Sequence, residues 1–484
     1  MRASHECLDT PTLAHAGPPA LNRPSPGMER QGPRDANLPR APGPNLTSLR
    51  RPLIVLAIGT FAIGTDAFVI GGVLPAVARS LGVSTSSAGL LVTAFAIAYA
   101  IGGPVLAVGT SRLPRRALMV SALALFVAAN ILAAVAPDYA MMLIARVFAA
   151  LGAAAFVPAA SAVASALAPT EYRGRALGTV VAGMTVAQVV GVPFGAFVGA
   201  LLGWRYTFIF VAALGAAAAL AVRFWLPHVQ SPAPARLGQR LAVAARPSTW
   251  PLLLQTTLAM AAGFSVLTYI YPVLSRAGGY RGVMVSVALL VFGVASVGGS
   301  TLGGRLTDRF GALPVVAVGL TALTLAMLAV SATTALSAGW PVLIALAAWG
   351  LGGWTFPPAQ QHHLIALGPD EASVLLGLNS SAIYAGAAIG GLVGGLVLPA
   401  GIALVPAIAA GLAACAVICI AVQHHVPPAT SPRNATGTDR PLRQATGRQT
   451  QHSEVRRMAT AQQSRVNGNR KTPSRRCQPT PTAS

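Results

Sequence analysis

The sequence predicts an all-α polytopic membrane protein with twelve transmembrane helices, and three observations point to it. Charged residues make up only 10% of the 484, and hydrophobic residues make up 54%, where an average soluble domain is roughly 25% charged. Apolar runs of membrane-crossing length, about 20 residues each, follow one another from residue 52 to residue 423. None alternates with the period of a barrel strand, and lipid gives the backbone no hydrogen-bond partner, so each run is read as a helix. So few charges cannot cover a water-facing surface, which excludes a soluble enzyme.

Each run has a boundary that can be read. The first, 52–75, follows Arg50 and Arg51 and contains Asp66. The second, 88–110, is separated from the third, 116–136, by Arg112, Pro114, Arg115 and Arg116. The fourth, 140–165, starts after Asp138, and the fifth, 176–202, after Arg173 and Arg175. Gly203-Trp204-Arg205 divides the fifth from the sixth, 206–227. A polar connection, 228–249, precedes the seventh, 250–273. Arg276 and Arg281 precede the eighth, 283–304, and a Gly- and Arg-rich turn leads to the ninth, 312–333. The tenth, 340–361, ends at His362 and His363; the eleventh, 373–398, follows Asp370 and Glu371; the twelfth is 402–423.

Charge sets the orientation. With the N-terminus inside, eleven arginines fall in cytoplasmic loops (from Arg112 to Arg309) and four outside, Arg79, Arg205, Arg276 and Arg281. Both termini are therefore expected to be cytoplasmic, in a bacterial inner membrane. Residues 1–51 and 428–484 are rich in Pro, Ser, Thr, Asn and Gln, lack apolar periodicity and are expected to be disordered. The N-terminal tail has no apolar core of a signal peptide. The basic C-terminal tail is read as solvated, with contact to anionic membrane lipid as the alternative. The net charge of +22 does not indicate a nucleic-acid partner: every basic residue but Lys471 is Arg, as base-composition bias would produce. Cys415 and Cys419, four apart on an apolar helix with no His or acid beside them, are neither a metal nor a redox site.

The connection 228–249 divides the chain into two six-helix halves, 52–227 and 250–427, and the halves echo each other. Gly191, Gly195 and Gly199 in the fifth run have counterparts in the eleventh at Gly386, Gly390 and Gly394. A basic turn follows both the second and the eighth run. Duplicated halves with a site between them at mid-depth mark a transporter.

Four motifs then resemble the major facilitator superfamily, in its twelve-helix drug:proton antiporter branch. Gly64-Thr65-Asp66-Ala67-Phe68 through Leu74-Pro75 is similar to that branch's first-helix motif, and Arg146 through Gly152 to its fourth-helix motif. Gly191-Val192-Pro193-Phe194-Gly195, with Gly203 to Phe208 after it, resembles the antiporter signature of the fifth helix. Gly303-Gly304-Arg305-Leu306-Thr307-Asp308-Arg309-Phe310-Gly311 resembles the superfamily's gating loop. The resemblance spans about 51–425 and comes nearest to bacterial chloramphenicol and sugar-efflux exporters. The first-half copy of the loop, Gly103 to Arg112, departs from the pattern by lacking its acid.

Candidate site residues follow from depth. Six acids lie in the membrane region, and Asp66 alone is deep. A carboxylate at that depth costs at least about 2.5–3.5 kcal/mol without a cavity or partner. Arg146 reaches the same depth from the fourth run, and the resemblance assigns it to proton coupling. The alternative is a permanent structural pair. The resemblance implies that Gly191, Pro193 and Gly195 close the space between the fifth and eighth helices against leak; ordinary small-residue packing is the other reading. Asp308 with Arg305 and Arg309 keeps the option of a lock. Tyr99, Gln188, Tyr269, Asn379 and Tyr384 are the polar and aromatic candidates for a substrate cavity, each equally readable as packing. Trp340, Trp349 and Trp354 are read as belt anchors or packing.

The expected function is secondary active export of a small drug-like or metabolite molecule, chloramphenicol-like or sugar-like, driven by the proton gradient. No cofactor or metal is expected, and one chain suffices. A sugar or metabolite importer or facilitator is the alternative, disfavoured by sparse polar groups, and a membrane-embedded enzyme is a remote one. No GxxxxGK[ST] loop occurs, so the energy must come from an ion gradient.

Overall fold

The computed structural model describes residues 46–423, apart from 111, 170–171, 228–242, 244 and 369–370. The two expected tails and most of the 228–249 connection lie outside the described residues. The helices are α1 (Leu46–Ser80), α2 (Thr85–Gly109), α3 (Arg115–Val135), α4 (Tyr139–Leu167), α5 (Arg173–Leu202) and α6 (Trp204–Trp225). They continue with α7 (Thr249–Thr268, resuming as Ile270–Gly278), α8 (Val283–Phe310), α9 (Ala312–Ala335), α10 (Pro341–Leu367), α11 (Ala372–Val397) and α12 (Leu404–Gln423). Eleven are long and apolar enough to cross a membrane, and α12 adds a shorter apolar stretch, Leu404–Ile420. The protein is an all-α, multi-pass membrane protein. Side chains such as Ile101, Leu202, Phe224, Leu336 and Ile418 are exposed on its outside, an apolar surface that only lipid can cover.

Local chemistry explains where helices start and bend. Ser84 and Asp138 cap α2 and α4 by accepting from the backbone N–H three residues on, satisfying an otherwise orphan donor. Two helices widen to i→i+5 turns, at Ala187–Gly191 in α5 and Trp349–Gly353 in α10. Each precedes proline: Pro193 in α5, and Pro357 with Pro358 in α10. A proline takes an N–H out of the ladder, and the wide turn absorbs the mismatch. The seventh run, expected to be continuous over 250–273, instead breaks at Tyr269 and continues to Gly278.

The two glycine series make the same joint twice. A Cβ on Gly191 would sit 2.0 Å from Thr65 Oγ1, on Gly195 2.6 Å from Val69 Cγ2, and on Gly199 2.5 Å from Val73 Cγ1. These three glycines seat α5 on one face of α1. Cβ atoms on Gly386, Gly390 and Gly394 would meet Thr257 O at 2.4 Å, Ala261 O at 2.4 Å and the Tyr269 ring at 2.7 Å, seating α11 on α7. Backbones can approach this closely only where no side chain intervenes.

Helices α1–α6 bury most of one apolar cluster and α7–α12 most of another. The two sets meet through three pairs, from mid-depth toward the end away from the termini. A Cβ on Gly71 of α1 would lie 2.2 Å from Leu267 O of α7, and one on Gly293 of α8 would lie 2.5 Å from Gln188 O of α5. Between α2 and α11, Thr93 Oγ1 donates to Ala388 O at 3.3 Å. Overpacking a close joint costs about 1–3 kcal/mol. Gly195→Leu should therefore lower the melting temperature of the purified protein by several degrees. Gly411→Leu, where a Cβ would meet nothing within 4 Å, should not. Equal melting temperatures would contradict the α1–α5 joint.

Candidate functional site

Asp66 lies on the face of α1 that meets α4, and both it and Arg146 are buried, at 0% and 1% exposure. Small residues allow the approach. Gly152 lets α4 close on α3, where a Cβ would meet Ala122 O at 2.7 Å, and Gly64 lets α1 close on α5. Arg146 Nη1 donates to Asp66 Oδ1 at 2.7 Å. The pair is one-sided: Asp66 Oδ2 and Arg146 Nε and Nη2 are buried with no hydrogen-bond partner among the described residues. Arg146 is held instead by rings, its guanidinium lying 4.5 Å from the centroid of Phe95 and 6.0 Å from that of Phe208. Each buried polar atom left unpaired costs about 1–3 kcal/mol. A pair serving stability alone is normally filled out further.

Phe95 joins this pair to the second helix set. Its other neighbour is Tyr384 of α11, 6.3 Å away between centroids, and Tyr384 stacks on Tyr99 of α2 at 3.6 Å. The structure thus brings two of the five cavity candidates, Tyr99 and Tyr384, to the pair through Phe95.

The other three lie apart. Asn379 is buried, and its Oδ1 accepts from Thr256 Oγ1 at 2.8 Å; Gln360 Nε2 adds a contact to Thr256 at 3.3 Å and one to Leu252 O at 2.8 Å. Gln188 sits in the wide turn of α5 with its Oε1 unpartnered. Tyr269 is fully buried, and its hydroxyl donates to Gly391 O at 2.9 Å. It fills the seam between α2 and α11, against Gly89, Gly394 and Gly395.

The antiporter-signature glycines have a different neighbour from the one expected. Gly191 and Gly195 face α1; the close approach of α5 to α8 comes from Gly293, from the Gln188–Val189 backbone and from Ala196 beside Gly72 and Leu289. The reason is periodicity: residues 191, 195 and 199 share one helical face, and α1 occupies it. In the gating loop, Gly303 makes the α8–α10 crossing, where a Cβ would lie 2.5 Å from Thr355 O, and Gly304 is open. Gly311 ends α8 at φ 84°, a conformation that favours glycine. Arg305, Asp308 and Arg309 are exposed. The ion pairs among the described residues are Arg146–Asp66 and Arg246–Glu371, so the possible lock at Asp308 is unmade here. Arg246 and Glu371 are half-exposed at the start of α7 and α11, and the hydrogen bond from Arg246 holds the Glu371 carboxyl below its ordinary value. Such a surface pair contributes little.

One feature had no signal in the sequence. A nearly closed slit of about 30 Å³ lies between α1, α7, α8, α9 and α10, with Phe68, Phe264, Phe292, Trp349, Trp354 and Phe356 among its walls. The residues come from separate runs, and no spacing rule joins them.

The family model described as the Major Facilitator Superfamily matches residues 56–372 and 256–462. The chain is 36% identical over 345 residues to the uncharacterized MFS-type transporter YbcL of Bacillus subtilis strain 168, covering 71% of this chain and 88% of that one. It is 36% identical over 300 residues to a chloramphenicol resistance protein of Streptomyces lividans, covering 61% and 73%. Among solved structures it matches a D-xylose–proton symporter with a TM-score of 0.65 at 16% identity, over 77% of this chain and 97% of that one, a likeness of fold. The chain belongs to the major facilitator superfamily and is a multi-pass membrane transporter of small molecules, not an enzyme.

Proposed function

We propose that this transporter is an exporter driven by proton antiport, with Asp66 as the proton carrier and Arg146 as the charge that senses it. The observation that carries the reading is the one-sided buried pair. Oδ2 of Asp66 is free to take a proton, and no second hydrogen bond must break first. Protonation cancels the negative charge and leaves Arg146 as a lone buried cation, which is strongly unfavourable. The arginine then keeps only the faces of Phe95 and Phe208 until water or another acceptor reaches it. α1 is released from α4, and α1 also packs against α5 and α7, so the change reaches the seam between the halves 52–227 and 250–427. Export, with the substrate drug-like or a metabolite and chloramphenicol-like or sugar-like in class, is supported by the named resistance relative and by the mainly apolar interior.

The three contact pairs lie from mid-depth toward the end away from the termini. With both termini cytoplasmic, as the arginine distribution argues, this is the state closed to the outside. Alternating access then requires the Gly71–Leu267 and Gly293–Gln188 contacts to open, with a new seal forming at the other end, where Arg305, Asp308 and Arg309 are exposed and Asp308 makes no ion pair among the described residues.

In everted vesicles energised by respiration, a panel of phenicols, dyes and sugars should include a compound that collapses the pH gradient in wild type and not in Asp66→Asn at equal membrane content. The exposed-pair variant Glu371→Gln should behave as wild type. Full substrate-dependent proton flux in Asp66→Asn would overturn the assignment. Gly71→Val should hold the far end apart. On a background without the native cysteines, Thr93→Cys should then be alkylated at least about tenfold faster. An unchanged rate would contradict the reading of that contact as a conformational seal.

A further inference from the structure

We infer that Phe95 is the positioning residue that passes the charge state of the Asp66–Arg146 pair to the opposite half of the transporter, holding the guanidinium on one side and Tyr384 of α11 on the other. In naming Asp66 as the group whose charge changes, this rests on the transport reading above; the link itself stands on the packing around Phe95. Arg146 lies against two rings, with its guanidinium carbon 4.5 Å from the centroid of Phe95 on α2 and 6.0 Å from that of Phe208 on α6. The two rings lead to different places. Among the described residues, the next ring beyond Phe208 is Trp204, 6.0 Å away on the same helix. The next ring beyond Phe95 is Tyr384, 6.3 Å away on α11. Of the two, it is Phe95 that joins the ion pair to the other set of six helices.

Spacing in the sequence builds this link. Phe95 and Tyr99 are four apart and share a face of α2. Tyr384 meets both, and it stacks on Tyr99 at 3.6 Å with planes 22° apart. On α11, Ala388 and Gly391 follow Tyr384 at four and seven residues, again on one face. Ala388 O accepts from Thr93, and a Cβ on Gly391 would lie 2.6 Å from Thr93 Oγ1. The Phe95–Tyr384 contact therefore begins a continuous strip of α2 against α11. All three rings are buried, and a close-packed interior transmits a displacement to its neighbours. The negative face of a ring attracts a cation, most strongly where water is excluded. While Asp66 is charged, the guanidinium divides between the carboxylate and the rings. Once Asp66 is neutral, the rings are its remaining partners, so the pull on Phe95 rises and its contact with Tyr384 shifts.

The test replaces protonation by Asp66→Asn, so it needs neither proton flux nor a substrate. Spin labels at Ala140→Cys and Ala335→Cys, exposed positions at the start of α4 and the end of α9, report the separation of the halves at the end away from the termini. The full chain without its native cysteines is placed in nanodiscs and read by double electron–electron resonance. With Phe95 in place, Asp66→Asn should raise the ratio of far to near distances at least about threefold; with Phe95→Leu it should change it by less than about 1.5-fold. Phe95→Tyr keeps the ring and should restore the response. Pentafluorophenylalanine at position 95 keeps the shape and reverses the charge of the ring face. It should abolish the response, and it serves if Phe95→Leu does not fold. The same residue at position 208 should leave the response in place, a contrast that packing alone does not produce. No response to Asp66→Asn with Phe95 in place, or a response undiminished by both Phe95→Leu and the fluorinated ring, would overturn the link. A Phe95-dependent response in a protein whose vesicles show no substrate-dependent proton flux would support the link and sink the antiport reading. Proton flux without that dependence would do the reverse.

Discussion

A carboxylate and a guanidinium buried against each other constrain the rest of the molecule. Asp66 and Arg146 are both essentially unexposed and share one 2.7 Å hydrogen bond. Desolvating such a pair costs several kcal/mol per ion, and the attraction offsets this only when the geometry is good and the remaining valences are filled. Here they are not filled, and the burden is shared with the Phe95 and Phe208 faces. α1, α2, α4 and α6 must therefore be held close around the pair.

That closeness comes from missing side chains more than from specific contacts. Gly191, Gly195 and Gly199 let α5 lie on α1, and Gly386, Gly390 and Gly394 let α11 lie on α7, so each half has a rigid two-helix spine of the same design. Other glycines serve the seam: Gly71, Gly293 and Gly391 touch backbone or small side chains of the opposite half. Joints of the first kind resist change because a whole face interlocks. Those of the second kind are few and lie toward one end, which suits surfaces that separate and re-form. The wide turns in α5 and α10 place Gln188 beside the seam and Trp349 in the slit, so local departures from the α-helix occur where the halves meet.

Much of this was legible in the sequence because the lipid imposes simple rules. Run length, charge scarcity and the duplicated glycine series give the helices, and the only deep acid and the cation at its depth give a pair that the structure joins. Direction was harder to read. The spacing of Gly191 and Gly195 shows that they share a face, but not that α1 rather than α8 occupies it. The break at Tyr269 lies at a seam with α2 and α11 that no local pattern encodes, and there the hydroxyl of this cavity candidate donates to Gly391 O. Tyr99 and Tyr384 could be named, but their stacking could not, since it needs two helices 285 residues apart in sequence. The slit was invisible for the same reason: Phe68, Phe264, Phe292 and Trp349 are ordinary apolar residues until the fold assembles them.

If the Asp66 carboxyl takes up and gives back a proton within the working pH range, pH-difference infrared spectroscopy on the reconstituted protein detects it without knowledge of the substrate. A protonated-carboxyl C=O band should grow as pH falls in wild type, shift in deuterium oxide and be missing in Asp66→Asn. A difference spectrum that is identical in wild type and Asp66→Asn would contradict it and return the pair to a purely structural role.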